Sequence, residues 1–198
     1  MYAAGDDLAR LFTVMTYGPH AVHAGNRDYQ EVPVATLAWA NTADDALAAL
    51  QLLSRQPAAP LGYPAAAQLE CLLAELDRDL TGIEGHPVLV TVGARSPYPP
   101  HVDPSAIIPC RWRNDWRVRL GNLLTKHAGM AFGAVHDTGW PDELWRRLGR
   151  DAATTIGDFS APRFVDALGL TTSDRQLIPI PLIAETETPG TWQASAAT

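Results

Sequence analysis

The chain has 198 residues, of which 46% are hydrophobic and 19% charged, and its formal net charge is −7. This length is sufficient for one domain with a hydrophobic core, and the acidic balance argues against a protein that binds nucleic acid through general attraction to phosphates. The longest apolar runs fall short of the ~20 residues that span a bilayer, and no signal peptide is recognisable, so we expect a cytoplasmic protein without membrane contact.

The first half of the chain predicts two strands followed by two helices. A β-rich run at 11–17 ends at Gly18-Pro19, and a second run at 32–40 follows a polar loop, which favours an antiparallel pair. Helical spacing of apolar residues then predicts a helix at 42–56, with Thr42 as its N-cap. A second predicted helix, at 65–80, carries a stripe of leucines along one side.

The second half predicts alternating strands and helices. The run VLVTVGA at 88–94 is β-branched and apolar almost without alternation, which predicts a strand buried on both faces of a parallel sheet. A helix at 114–127, a buried strand at 130–135, a helix at 141–157 and a short helix from Ser160 to Gly169 follow. Pro179 and Pro181 confine the apolar segment at 176–183 to a sheet edge or a docked extended conformation.

This order of elements predicts an α/β fold. Its expected form is a mainly parallel, doubly wound sheet with helices on both faces. We expect a single domain at 1–184 and a mobile C-terminal tail at 185–198. The sequence contains no internal repeat.

A ligand site is expected beyond the carboxyl ends of the strands, where open α/β sheets bind their ligands. Strands centred on Leu37, Val90 and Gly133 would have to be parallel neighbours for their polar ends to share one crevice. His136 would then lie on the rim of that crevice rather than in the core. The stiff proline-rich loop after the second of these strands adds an imidazole and a carboxylate. The predicted set consists of Asn41, Thr42, Asp44, Arg95, Ser96, His101, Asp103, His136 and Asp137.

These residues also have purely structural interpretations. Thr42 is suited to cap a helix, and Asp137 to form an Asx turn between a strand and a helix. Arg95 is suited to pair with a loop carboxylate such as Asp103, and His136 to bond a backbone carbonyl. The chain contains no phosphate-binding loop, no dinucleotide-binding G-x-G-x-x-G, no nucleophile elbow and no paired C-x-x-C.

The cysteines and histidines are scattered along the chain. Cys71 lies in a helical apolar pattern and is predicted to be a small core residue, whereas a reactive thiolate is conceivable for Cys110, before a basic loop. His20 and His23 are spaced i, i+3 in a loop. A metal-binding protein would require these two to meet His101 in space.

The order of elements over residues 8–157 resembles the later part of a von Willebrand factor A-like domain. The resemblance is carried by the strand pair, the helix after a threonine-containing loop, and the strands in HPVLVTVGARSP and GMAFGAVHD. Such domains are doubly wound α/β folds that usually bind protein partners, many through a divalent metal. The D-x-S-x-S motif that opens the metal site is absent. At the strand end where these domains often carry an aspartate, this chain has Arg95, whose positive charge would repel a cation. The resemblance therefore implies a degenerate, metal-free member that needs no cofactor, with Thr42 at the family's metal-site threonine.

The leading functional hypothesis is a non-enzymatic protein-interaction module that binds a protein partner or another copy of itself. Trp140 and Trp192 are the tryptophans expected at the surface, and tryptophan is enriched in interface hot spots. The alternative is an enzyme, a hydrolase or transferase, or else a small-molecule binder. In it Arg95 would hold an anionic group and His136 would act as general acid or base, oriented by Asp137 or Asp103.

Overall fold

The computed structural model describes residues 11–24, 27–29, 31–56, 66–82, 85–101, 108–137 and 143–170. Within these ranges the strands are β1 Phe12–Thr16, β2 Val22–Ala24, β3 Arg27–Tyr29, β4 Ala35–Asn41, β5 Ala66–Ala67, β6 Val88–Val92, β7 Ser96–Pro97, β8 Ala131–His136 and β9 Ala152–Thr155. The helices are α1 Ala43–Ser54, α2 Leu69–Asp79, α3 Trp116–Lys126, α4 Glu143–Leu148 and α5 Ala161–Ala167. None of these helices has both the length and the hydrophobicity that a bilayer-crossing segment requires.

The first two predicted strands form an antiparallel pair, as expected. β1 pairs with β4, with Val14 opposite Ala38 and Thr16 opposite Ala35. α1 packs against both strands. Among the described strands, β4 has β1 as its partner and does not join the parallel strands. The prediction that the strand around Leu37 lies beside the strands around Val90 and Gly133 is therefore wrong.

Three parallel strands form a separate sheet in the order β6-β8-β9. Val92 of β6 lies opposite Val135 of β8, and His136 of β8 lies opposite Thr155 of β9. β8 is the central strand and is buried along most of its length, as predicted. β6 lies at an edge of the described sheet, and its Val90 and Val92 are 45% and 60% exposed. The prediction that this run is buried on both faces is wrong.

β9 lies where the sequence predicted a continuing helix. α4 ends at Leu148, and a short turn leads into β9 at Ala152. A Cβ on Gly149 would lie 2.7 Å from the Cβ of Ala153, so the chain reverses too tightly for a larger residue. Pairing with β8, and the hydrogen bond that the Phe132 backbone N–H donates to Asp151, hold this segment in the sheet. These long-range contacts override the helix propensity of its alanines.

The hydrophobic core lies where α2, α3 and α4 pack on one face of the parallel sheet. Of the inward-facing residues predicted from helical spacing, seven are buried, namely Leu69, Leu72, Leu73, Leu76, Trp116, Leu120 and Leu123. The other two, Leu80 and Leu124, are partly buried and pack against the same core. On the other face of the sheet, Phe164 of α5 and Leu168, which directly follows α5, pack against Val135. Helices thus cover both faces of the parallel sheet, and the α/β class is confirmed. The segments at 171–184 and 185–198 lie outside the described residues.

Candidate functional site

The residues predicted to share one crevice occupy different parts of the fold. Asn41, Thr42 and Asp44 lie at the junction of β4 and α1, and β4 is not a strand of the parallel sheet. The Thr42 side chain accepts a hydrogen bond from the Asp45 backbone N–H at 3.3 Å. This is the N-capping role that the sequence predicted.

The other predicted residues follow the parallel strands. Arg95 and Ser96 come after β6, and His136 and Asp137 lie at the end of β8. His136 is only 5% exposed, so its predicted position on a rim is wrong, and its Nδ1 has no hydrogen-bond partner among the described residues. His101 is exposed and Asp103 lies outside the described residues. A catalytic role for Arg95, His136 and Asp137 stays a prediction.

A different group of ionisable side chains meets in the interior. It will be called the buried cluster, and consists of His20, Glu70, Cys71 and Cys110. Each side chain offers one potential metal-ligand atom, and these four atoms all lie within 4.8 Å of one another. Both cysteines are free thiols. The cluster joins three chain segments that are far apart in the sequence.

The loop after β1 places His20 in the cluster. A Cβ on Gly18 would lie 2.4 Å from the Cβ of Val32, so the loop passes Val32 at a distance that only glycine permits. The Gln68 side-chain amide donates hydrogen bonds to the carbonyls of Pro19 at 3.1 Å and Val32 at 2.9 Å. Gln68, at the start of α2, therefore binds the backbone at Pro19, just before His20, and at Val32.

The first turn of α2 supplies Glu70 and Cys71. The short parallel pair of β5 with β7 brings this turn beside residues 96–98. The Tyr98 backbone N–H donates to Glu70 Oε2 at 3.1 Å, and the Tyr98 hydroxyl accepts from the His20 backbone N–H at 3.1 Å. The His20 and Tyr98 rings lie 4.7 Å apart. Tyr98 therefore positions both the imidazole and the carboxylate.

A turn before α3 supplies Cys110. Its backbone N–H donates to the Pro99 carbonyl at 2.7 Å, and its carbonyl accepts from the Arg113 backbone N–H at 2.9 Å. The pKa of the Cys110 thiol is raised, chiefly by burial and also by the Glu70 carboxylate; hydrogen bonds from the backbone N–H groups of Asn114 and Trp112 to the sulfur offset only part of this rise. Backbone donors aimed at a sulfur favour its thiolate form, which is the form that binds metals.

Four of the six distances within the buried cluster are close to those of a tetrahedral metal shell, and all six lie within 4.8 Å. His20 Nε2 lies 3.2 Å from Glu70 Oε1 and 3.8 Å from Cys71 Sγ. Cys71 Sγ lies 3.5 Å from Glu70 Oε1 and 3.5 Å from Cys110 Sγ. Ligands around Zn²⁺ at ordinary bond lengths are separated by roughly 3.3–3.8 Å. Small shifts of these side chains would place all four atoms at bonding distance from one central ion.

Outer partners orient the atoms that would face such an ion. His20 Nδ1 lies 3.4 Å from Glu31 Oε1, which leaves Nε2 directed at the cluster. The Asn114 side-chain amide donates to Cys71 Sγ at 3.4 Å. Histidine ligands commonly hydrogen-bond a carboxylate through their second ring nitrogen, and such outer contacts raise the affinity for the metal.

The members of the buried cluster are linked by hydrogen bonds, and burial keeps its thiols protonated. Burial raises the pKa of the Cys71 thiol; the Asn114 hydrogen bond opposes this, and the Glu70 carboxylate adds to it. His20, Glu70 and Cys110 are almost completely buried. Buried charged and polar groups cost free energy unless they are paired or coordinate a metal. A divalent cation would displace the thiol protons and pair with the thiolates and the carboxylate of the cluster.

A groove at the surface has one residue of the buried cluster, Cys71, in its wall. Its volume is about 590 Å³, and it is lined by Glu31, Pro33, Val34, Gln68, Cys71, Ala74, Glu75, Arg78, Arg111, Trp112 and Asn114. The indole of Trp112 is 64% exposed, and the Arg111 guanidinium lies 5.1 Å from its ring centroid. His20, Glu70 and Cys110 are not among the residues that line the groove, so the groove borders the buried cluster at Cys71.

No protein-family model, curated protein or solved structure gives a significant match to this chain. The resemblance to von Willebrand factor A-like domains therefore stays a prediction, and the site is interpreted from its own geometry. Sequence reasoning singled out His20, Cys71 and Cys110 separately and missed Glu70. The available signal was the pair Glu70-Cys71, which interrupts the apolar pattern at the start of α2.

Proposed function

We propose that this chain is a metalloprotein that holds one Zn²⁺ ion in the buried cluster. The observation that carries the proposal is the mutual approach of four potential ligand atoms, from His20, Glu70, Cys71 and Cys110, within 4.8 Å. Two thiolates and an imidazole in a tetrahedral arrangement favour Zn²⁺ over Mg²⁺ or Ca²⁺, which prefer oxygen ligands at higher coordination number. This proposal differs from the family resemblance, which implied a metal-free protein.

The outer contacts support the same conclusion. Glu31 would hold the tautomer of His20 in which Nε2 is the ligand. The amide of Asn114 would stabilise the Cys71 thiolate, since hydrogen bonds to the charged form favour it. Metal ligation gives these buried contacts a common purpose that core packing alone does not.

The test is the zinc content and zinc affinity of the purified protein. We expect one equivalent of zinc by elemental analysis, and tight binding when the metal-free protein competes with a chromophoric chelator. Cys71→Ser and Cys110→Ser should each weaken binding by more than the about 10–100-fold that loss of an outer contact costs, because each removes a soft ligand. His101→Ala is the matched control, since His101 is exposed and lies outside the buried cluster. Wild-type protein that binds zinc no more tightly than Cys110→Ser would contradict the proposal.

The predicted role as a protein-interaction module stays a separate proposal. Trp140 and Trp192, the residues on which it depended, lie outside the described residues. The more detailed fold, a doubly wound domain of the von Willebrand factor A type, also stays a proposal. A zinc site and a partner-binding surface are compatible in one chain, so the zinc measurements do not decide between them.

A further inference from the structure

We propose that the apolar segment at 176–183 docks on the parallel sheet as a fourth strand, paired with the free edge of β6. The segment has the sequence QLIPIPLI and follows α5 after a short connection. It lies outside the described residues, whereas the edge on which it would dock lies within them. This docking does not depend on the zinc site proposed above.

The backbone of β6 is bonded to β8 through every second residue. The Ala131 backbone N–H donates to the Pro87 carbonyl at 3.1 Å, and the Gly93 backbone N–H donates to the Val135 carbonyl at 3.0 Å. Backbone groups of successive residues point to opposite sides of a strand. The odd-numbered residues of β6 therefore face β8, and the even-numbered residues face the other side.

The even-numbered residues of β6 are all valines, and they form the free edge. Among the described strands, β8 is the partner of β6, and no strand pairs with Val88, Val90 and Val92 on their other side. The Val92 carbonyl accepts a hydrogen bond from the Tyr17 hydroxyl at 3.3 Å, which closes the edge at its C-terminal end. Natural edge strands are commonly protected by charged residues or proline, and the sequence VLVTV has neither. The backbone groups of Val88 and Val90 are therefore available to pair with a further strand.

The side chains of the same valines form an apolar surface beside α5. Val88 packs against the cluster that contains Leu168, and side chains two positions apart in a strand share a face. A Cβ on Gly133 would lie 3.3 Å from Leu168 Cδ2, and Val90 is the residue opposite Gly133. Val90 and Val92 are nevertheless 45% and 60% exposed, so α5 covers β8 and leaves this part of β6 open.

The path of the chain leads from α5 towards this edge. α3 and α4 connect β6 to β8 and β8 to β9, and both pack in the core on the face opposite α5. Because crossovers between parallel strands are right-handed, a connection through α5 runs in the reverse direction, back towards β6. Ile178 lies eight positions after Leu170, and eight extended residues span about 26 Å. The free side of β6 lies two strand spacings from β8, roughly 10 Å, which is well within that reach.

The spacing of the prolines specifies which side of the segment pairs with β6. Pro179 and Pro181 have no backbone N–H, and their spacing of two places both missing donors on one side of an extended chain. The N–H groups of Ile178, Ile180 and Leu182 lie on the other side. Proline is accepted in edge strands where the missing N–H would face solvent, so the even-numbered residues would face β6. In a parallel neighbour, the side chains of the odd-numbered residues would then share a face with the exposed valines of β6.

Hydrogen exchange of single backbone amides, followed by NMR on the full chain, tests this pairing. In the wild-type protein the Val90 amide should be protected like the Thr91 amide, which faces β8. Ile178→Pro and Leu182→Pro each remove a donor that would face β6. Each should accelerate exchange at Val90 by about 10-fold, as expected for the loss of one hydrogen bond.

Leu177→Pro and Ile183→Pro are the matched controls. They introduce the same ring and the same preference for an extended backbone, but they remove a donor on the outward side. Exchange at Val90 should stay at its wild-type rate in both. The Thr91 amide should keep its protection in all four variants, because its partner is β8.

Three results would overturn the proposal. The first is rapid exchange at Val90 in the wild-type protein. The second is an equal effect, or no effect, of the even-numbered and odd-numbered substitutions on exchange at Val90. The third is protection at Val90 that is lost on dilution, because it would show that a second copy of the chain pairs with β6.

Discussion

The contact between Glu31 and His20 allows a quantitative test of the metal site. Glu31 Oε1 lies 3.4 Å from His20 Nδ1, and the carboxylate is partly exposed at the groove. Glu31→Gln keeps the size of the side chain but removes the charge that orients the imidazole. Loss of such an outer contact weakens metal binding by about 10–100-fold. This corresponds to about 1.4–2.7 kcal/mol of binding free energy.

The same loss should appear in the thermal stability of the zinc-bound form. A ligand that binds only the folded state stabilises it in proportion to the logarithm of its affinity. For a chain of about this size, 1 kcal/mol shifts Tm by about 2–4 °C. At saturating zinc, Glu31→Gln should therefore melt about 3–11 °C below the wild-type protein. The two metal-free proteins should melt within a much smaller interval of each other.

Arg111→Gln is the matched control for this experiment. Arg111 Nη1 lies 3.6 Å from Glu31 Oε2, and its largely exposed side chain has no described contact with His20. Exposed ion pairs of this kind contribute little to stability, so the zinc affinity of Arg111→Gln should stay close to that of the wild-type protein. If Glu31→Gln bound zinc as tightly as the Arg111→Gln control, the proposed orientation of His20 would be refuted.

Three further predictions concern the fold. Gly133→Ala should destabilise the protein by about 1–3 kcal/mol in urea unfolding, because its Cβ would lie 2.7 Å from Phe164 Cζ; a midpoint equal to wild type would show that the ring moves aside freely. Thr42→Ala should cost about 1 kcal/mol through loss of the α1 N-cap, whereas Thr42→Ser should retain most of the stability in the same melt. Burial raises the pKa of Asp77, but hydrogen bonds from α3, chiefly from Lys126, outweigh it and lower the pKa. A lowered folded-state pKa gives stability that is present above the unfolded value of 3.8 and lost as the pH falls through the folded value. Below about pH 5, the free energy of unfolding should therefore fall less steeply with decreasing pH in Asp77→Asn than in the wild-type protein. Equal slopes would show that Asp77 does not have a lowered pKa in the folded state.

Much of the secondary structure could be predicted because local contacts produce it. The Thr42 cap joins residues three positions apart, and the leucine stripe of α2 follows from helical spacing. Gly169 ends α5 with a positive φ of 69°, a conformation that glycine adopts without strain. Each of these features depends on residues within a few positions of one another. A single sequence is therefore sufficient to predict them.

The errors arose where distant segments decide the structure. The residues of β9 have no strong strand signal of their own, and their pairing with β8 makes them a strand. Val90 and Val92 have the composition of a central strand but lie at an edge of the described sheet. β-branched composition indicates a strand and leaves open how many neighbours that strand has.

The candidate site shows the same division. His20 lies 50 residues from Glu70, and Cys71 lies 39 residues from Cys110. No spacing motif joins them, so separate inspection predicted a core thiol for Cys71, a conceivable reactive thiolate for Cys110, and a metal role for His20 only together with His23 and His101. Their convergence depends on the Gly18 loop, the short β5–β7 pair and the turn after Pro99. All three are tertiary contacts.

The amino-acid sequence by itself determined the α/β class, the helices and their buried faces, and the capping of α1, because these follow from periodicity and hydrogen bonds between near neighbours. Tertiary structure alone decided which strands are neighbours, which of them are edges, and which ionisable side chains share the interior. The reason is that strand pairing and side-chain clusters are stabilised by contacts between residues tens of positions apart. Their energies depend on the whole packed arrangement rather than on any one segment.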